Sequence, residues 1–306
     1  MEYVLKTNGI VKTYKGIVGS HTALDGVDMN VPKGSVYGFV GRNGAGKTTL
    51  IRIITGLQLQ NEGSFELFGE KSGTDGIYKA RRRLGAIVET PSVHPKLSAK
   101  ENLLTMYKIA GIPEDSRIDE LLSLVGLEGT GSKKAKDFSL GMKQRLGIAM
   151  ALCTSPDMLI LDEPINGLDP QGIVEIRELI LNLNREKNIT VLISSHILDE
   201  LSKLATHYGF INQGRIVMEM SAEELMANCK KSLSVTVSSI TALTKYLDEN
   251  GLEYKTASDN TAEIYSPITL SKLVADLGKN GCEVLKANES EESLESFFIN
   301  LVGGEQ

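Results

Sequence analysis

The chain has 306 residues, 41% of them apolar and 24% charged, which suits a globular protein with one large domain and one small one. Its net charge of −6, with no basic block, argues against nucleic-acid binding through phosphate contacts. The longest apolar run, Leu146 to Cys153, is far short of the ~18 residues that suggest a membrane span. The start, MEYVLKTNGIVKTY, has no basic-then-apolar signal region. The expectation is therefore a cytoplasmic protein that reaches the inner face of a membrane only when a partner holds it there. Cys153, Cys229 and Cys282 lie far apart without metal-ligand spacing, and read as thiols in a reducing compartment.

In chain order, residues 1–70 read as short strands broken by Gly, Asn and Pro: YVLKTNGIVKTY, LDGVDMNVPKG and GSFELFGEK. Within them, SVYGFVG is a compact apolar strand that runs into a glycine-rich loop, and KTTLIRIITGL then takes helical spacing. From about 98 to 151 the pattern is helical, in AKENLLTMYKIAG, SRIDELLSLVGL and LGMKQRLGIAMAL. Next come DMLILD and ITVLISS, continuous apolar runs of the kind buried in a parallel sheet, with the helix GIVEIRELILNLNRE between them. YGFINQGRIVMEM predicts a hairpin turning at Asn212-Gln213-Gly214. Composition shifts at about residue 220, beyond which 14 acidic residues face 7 basic ones. That places one domain at 1–220 and a small acidic α/β domain at 221–306. Its order of strand, helix, two strands, helix, strand suggests a ferredoxin-like sandwich, followed by a helix in EESLESFFINLVGG.

The chemistry begins at Gly41-Arg42-Asn43-Gly44-Ala45-Gly46-Lys47-Thr48-Thr49, a phosphate-binding loop set between a strand and a helix. Its glycines let backbone N–H groups approach phosphate oxygens, and the helix adds its positive N-terminus. Lys47 is placed to reach the β- and γ-phosphates of a nucleotide, and the Thr48 hydroxyl to ligate Mg²⁺. MLILDEP supplies the second half: Asp162 ends a buried strand, where it can hold the Mg²⁺ shell, and Glu163 is placed to polarise an attacking water. These two motifs alone describe a nucleoside triphosphatase of unspecified kind.

FSLGMKQR lies between those halves, Gly167-Leu168-Asp169-Pro170 follows the second, and His196 ends the strand VLISSH. With these, residues 1–220 resemble the ATP-binding cassette family, the ATPase subunits of ABC transporters. The resemblance implies an α/β P-loop cassette with a RecA-like core, an antiparallel β subdomain and a helical subdomain. It also implies roles. Tyr14 would stack on adenine. Ser139 and Gly141 would cap the γ-phosphate bound to a second copy of the chain, Asp169 would cross that dimer interface, and His196 would contact the γ-phosphate. One set of motifs per chain means that two chains make the working unit.

Two positions depart from the family pattern. The usual Leu-Ser-Gly-Gly-Gln signature is Phe138-Ser139-Leu140-Gly141-Met142 here, and the usual Gln between the phosphate loop and the helical region is Glu89. Together they resemble the ATPases of bacitracin-export and lantibiotic-immunity transporters. The resemblance implies integral-membrane permease partners, a place for Glu89 beside Mg²⁺ and catalysis, and export of a peptide antibiotic. Export of a drug, lipid or polysaccharide, or a non-transport ATPase, stands as the alternative.

Overall fold

A computed structural model describes residues 2–16, 19–113, 117–228, 231–291 and 294–303. Cys229, the first residue of the helix expected from 116, and residues 292, 293 and 304 of the last expected helix lie outside the described residues. The chain packs as two units, Met1–Ala222 and Glu223–Gln306.

The first unit opens with β1 (Tyr3–Lys15) and β2 (Ser20–Pro32), then β3 (Val36–Val40) and α1 (Lys47–Thr55). β4 (Glu62–Leu67) and β5 (Glu70–Lys71) complete an antiparallel sheet in the order β2-β1-β4-β5. There follow α2 (Gly76–Arg81), β6 (Leu84–Ile87), α3 (Ala99–Ala110), α4 (Arg117–Leu124), α5 (Leu140–Leu152), β7 (Met158–Asp162), α6 (Pro170–Lys187), β8 (Thr190–Ser195) and α7 (Leu198–Ser202). The hairpin β9 (His207–Asn212) and β10 (Arg215–Ser221) turns through Gln213 and Gly214, both at positive φ, before α8 (Ala222–Asn228). That is the conformation a two-residue turn needs to match strand twist.

A second sheet runs β10-β9-β3-β8-β7-β6, with β9, β3, β8, β7 and β6 parallel and β10 antiparallel at one edge. β3, β7 and β8 are buried at every residue, so they read as unbroken apolar runs rather than alternating ones. α1 lies between the sheets. Leu50, Ile51, Ile53 and Ile54 are all fully buried, together with Val27, Phe39, Phe65 and Ile160. Each such side chain contributes about 1.5–3 kcal/mol relative to exposure. The helix that begins at the phosphate loop is thereby wedged into the core.

Four elements were not legible in the sequence: α2, β6, α7 and α8. β6 is the informative one. Its Gly85 and Ala86 carry no strand signature, yet a residue without a side chain is needed at 85 because α5 crosses there closely. A Cβ on Gly85 would stand 2.5 Å from the Ala151 carbonyl oxygen.

The second unit takes in α8 beyond its first residue, then β11 (Lys231–Val237), α9 (Ile240–Glu249), β12 (Tyr254–Ser258), β13 (Thr261–Ile264), α10 (Leu270–Lys279), β14 (Val284–Glu291) and α11 (Leu294–Gly303). Its sheet is antiparallel in the order β12-β13-β11-β14. Val235, Val237, Leu243, Leu247, Ile264, Leu273 and Leu277 form a core of its own.

Candidate functional site

Parallel pairing sets the site at the carboxyl ends of three strands. Val40 lies opposite Ser195, and Asp162 opposite Ser194, so the phosphate loop, the acidic pair and His196 leave the sheet at one edge. Ligands bind at such edges in open α/β sheets.

The loop has the shape its residues require. Gly46 caps α1 at φ 113°, and a Cβ there would lie 2.7 Å from the Ala23 carbonyl oxygen. A Cβ on Gly41 would meet Ile211 at 2.6 Å. Neither position accepts a larger residue. Lys47 begins the helix, only 5% exposed, and donates to the carbonyl oxygens of Gly41 at 2.6 Å and Arg42 at 3.4 Å. Its third partner is Glu163 Oε1 at 3.2 Å. The Arg42 carbonyl also accepts from the Ala45 N–H at 3.1 Å, closing the loop.

The acidic pair divides its work. Asp162, 1% exposed, accepts from Thr48 Oγ1 on Oδ2 at 2.8 Å and from Ser194 Oγ on Oδ1 at 2.5 Å. Glu163 turns away at φ 50°, a left-handed conformation that costs a residue with a side chain about 1–3 kcal/mol. Its Oε2 accepts from His196 Nδ1 at 2.8 Å. Lys47, Glu163 and His196 thus form one chain of contacts.

Tyr14, Asn43, Gly44, Gly46, Lys47, Thr48, Thr49 and Glu163 line a cavity of about 370 Å³, joined by His21, Ala23 and Arg52. The Tyr14 hydroxyl donates to Gln58 Oε1 at 2.8 Å, with Lys12 Nζ 5.5 Å from the centre of its ring.

Three expected site residues are elsewhere. Ser139 is exposed and caps α5, accepting from the Met142 N–H at 3.2 Å. Asp169 is exposed and caps α6, accepting from the Gly172 N–H at 3.2 Å. Gly141 is the second residue of α5, and its Cβ position is 3.9 Å from Leu168, so the two loops are neighbours. None of the three lines the cavity. Glu89, at φ 64°, pairs its Oε1 with the Arg52 guanidinium. The structure therefore brings Glu89 to a cation of this chain rather than to Thr48 or Asp162.

Sequence reasoning passed over Ser194 and Arg52. A signal existed for each. Ser194 is a polar residue that follows three apolar ones in a strand buried at every position, and Arg52 lies one helical turn after Thr48.

A family model described as ABC transporter matches residues 24–166. The bacitracin transport ATP-binding protein BcrA of Bacillus licheniformis is 42% identical over 99% of both chains. The chain belongs to the ATP-binding proteins of ABC transporters. The cassette is also 45% identical to the lantibiotic transport ATP-binding protein SrtF of Streptococcus pyogenes, over 71% of this chain and 90% of that one. Among solved structures, the dimeric post-hydrolysis state of the ATP-binding cassette MJ0796 bound to ADP and Pi matches with a TM-score of 0.64. It is 27% identical and covers 71% of this chain and 98% of that one. This cassette is therefore an ATPase that binds ATP and ADP, of a kind that dimerises, and a transporter subunit. No helix among the described residues is long and apolar enough to cross a membrane.

Proposed function

We propose that this chain powers export of a bacitracin-like or lantibiotic peptide, as a nucleotide-sandwich homodimer held by permease subunits at the cytoplasmic face of the membrane. The observation that carries the reading is the match to BcrA over essentially the whole of both chains. The match to SrtF spans 71% of this chain, so the bacitracin relatives share the second unit as well. Glu89 in place of the usual Gln supports the same reading.

In this reading, Tyr14 stacks on adenine and the amides of residues 41–49 receive the phosphates. Lys47 exchanges Glu163 for phosphate oxygens, which frees Glu163 Oε1 to accept the proton of an attacking water. His196 holds the other carboxylate oxygen and reaches toward the γ-phosphate. Ser139, Gly141 and Asp169, turned outward, serve the nucleotide of the second copy.

Thr48 and Asp162 fit Mg²⁺. Their oxygens are 2.8 Å apart, and adjacent ligands of an octahedral Mg²⁺ at 2.0–2.1 Å are separated by about 2.9 Å. When bound, Mg²⁺ would neutralise charge on the phosphates. Glu89 holds the Arg52 guanidinium through Oε1. Its paired arrangement makes it a link between α1 and the segment that follows β6, placed to pass strain to a permease.

The second unit is proposed as a ferredoxin-like regulatory or docking domain. The order β12-β13-β11-β14 and the connection strand, helix, hairpin, helix, strand support that reading. Residues 1–222 expressed alone should stay folded and bind ATP.

The deciding experiment is a killing curve. Cells lacking the gene should become sensitive to one or more cationic peptide antibiotics, and the wild-type copy, but not Glu163→Gln, should restore resistance. Unchanged resistance to every peptide in a bacitracin and lantibiotic panel would end the peptide-export reading. Co-purification with a polytopic membrane protein checks the permease.

A further inference from the structure

Ser194 lies within VLISSH but has none of the roles described above. It lies on β8, in register with Phe39 of β3 on one side and Asp162 of β7 on the other, and is 0% exposed. A serine at the centre of a parallel sheet must spend its hydroxyl on partners, because burying it unpaired costs about 1–3 kcal/mol.

Its partners are the two acids of the site. The hydroxyl accepts from the Glu163 backbone N–H at 3.0 Å, and the Ser194 carbonyl shares the same N–H at 3.1 Å. With a lone pair engaged there, the single proton goes to Asp162 Oδ1 at 2.5 Å, a distance typical of a hydroxyl donating to a carboxylate. Oδ2 is then the oxygen turned to Thr48. One hydroxyl thus sets the rotation of the Asp162 carboxylate and pins the left-handed backbone of Glu163. Without that hydroxyl, Asp162 Oδ1 loses its partner and the Glu163 N–H keeps only the Ser194 carbonyl, at a residue that pays strain for its conformation.

We infer that Ser194 is a positioning residue that locks the metal-facing oxygen of Asp162 and the backbone of Glu163 in the geometry needed for hydrolysis. The inference rests on the assignment of Thr48 and Asp162 to Mg²⁺. Removing an outer partner of a metal ligand typically weakens metal affinity by about 10–100-fold.

The test uses the full chain with ADP and Mn²⁺ as the probe, bound metal being read by electron paramagnetic resonance. Ser194→Ala should raise the half-saturating Mn²⁺ concentration roughly 10–100-fold. Binding of a fluorescent ADP analogue in EDTA should stay within about twofold, since the phosphate loop is untouched, and kcat should fall more than KM changes. Ser194→Thr, which keeps the hydroxyl, should recover metal affinity. Ser195→Ala removes an adjacent buried hydroxyl that contacts only Ile197 among the described hydrogen bonds, and should leave metal affinity unchanged. If Ser194→Ala does not fold, Ser194→Cys, a weaker donor of similar size, replaces it and should show an intermediate loss.

Unchanged Mn²⁺ affinity in the Ala or Cys variant, or an equal loss of metal-free nucleotide binding, overturns the inference. Asp162→Ala separates the two levels. If that variant also keeps its Mn²⁺ affinity, the metal assignment itself is wrong. If it loses affinity while Ser194→Ala does not, only the role of Ser194 falls.

Discussion

Two helix N-termini in the first unit are finished in opposite ways. At α3, Ser98 and Glu101 close a full capping box: the Glu101 N–H donates to Ser98 Oγ at 3.3 Å, and the Ser98 N–H donates to Glu101 Oε2 at 2.5 Å. At α5, Ser139 caps the Met142 N–H, but a methionine has no oxygen to return the bond. The usual Gln of the family signature at this place could have returned it. α3 carries its own carboxylate at its positive end, and α5 presents that end bare. A closed box makes an end that is purely structural. A half-open cap beside an exposed Ser139 leaves dipole and donors for an anion, which is what the proposed role toward a second copy's γ-phosphate requires.

The largest effect should come from the half of the site completed within the chain. Glu163→Gln should bind ATP but hydrolyse it roughly 10²-fold more slowly or worse, and accumulate as an ATP-bound dimer. Near-normal turnover would remove Glu163 from that role and with it the contrast between the two halves.

A complementation assay then addresses α5 directly. Mixed Lys47→Ala and Ser139→Arg chains should form heterodimers with one intact composite site, and hydrolyse ATP several-fold faster than either variant alone. Confirmed heterodimers without recovery would mean that Ser139 does not serve a second copy.

Next in size, Ser98→Ala and Ser139→Ala should each cost about 1 kcal/mol in urea denaturation, the usual worth of an N-cap. Only Ser139→Ala should also slow hydrolysis. Equal slowing in both would erase the functional difference between the two helix ends.

Glu89 offers a subtler probe. Glu89→Gln should preserve the fold and ATP affinity while lowering peptide resistance per ATP hydrolysed. The Arg52–Glu89 pair is surface-exposed, so a double-mutant cycle on stability should yield only about 0.2–1 kcal/mol.

The smallest effect is one of pH. Hydrogen bonds from Lys134, then from the backbone and hydroxyl of Ser98, hold the Glu101 carboxyl at about 2. A carboxyl depressed on folding adds stability that is fully present above its unfolded value, ~4.3, and is lost as pH falls through the folded value. A carbon-13 titration of Glu101 should therefore find a midpoint well below that of an ordinary glutamate, and Lys134→Ala should raise it. The Ser139 cap, a hydroxyl, has no such transition.

The site was legible to the extent that its chemistry is carried by residues adjacent in sequence. Strand, glycine loop and helix stand in a row around Gly41–Thr49, and MLILDEP announces a buried strand ending in two acids. Ser194 and Arg52 were not legible, because their meaning depends on neighbours far along the chain. Ser194 lies 32 residues from Asp162, and Arg52 lies 37 from Glu89. β6 went unseen for a related reason: it was chosen for the helix that crosses it rather than for strand propensity.

The sequence by itself determined that this is a nucleotide-binding cassette followed by an acidic α/β unit, because loop geometry, apolar runs and charge are local properties that spacing reveals. Only the tertiary structure decided which oxygen of Asp162 faces Thr48, that Glu163 stands between Lys47 and His196, and that Glu89 is held by Arg52. Those facts follow from strand register and helix placement, which bring distant side chains within hydrogen-bond reach and cannot be read from any one stretch of chain.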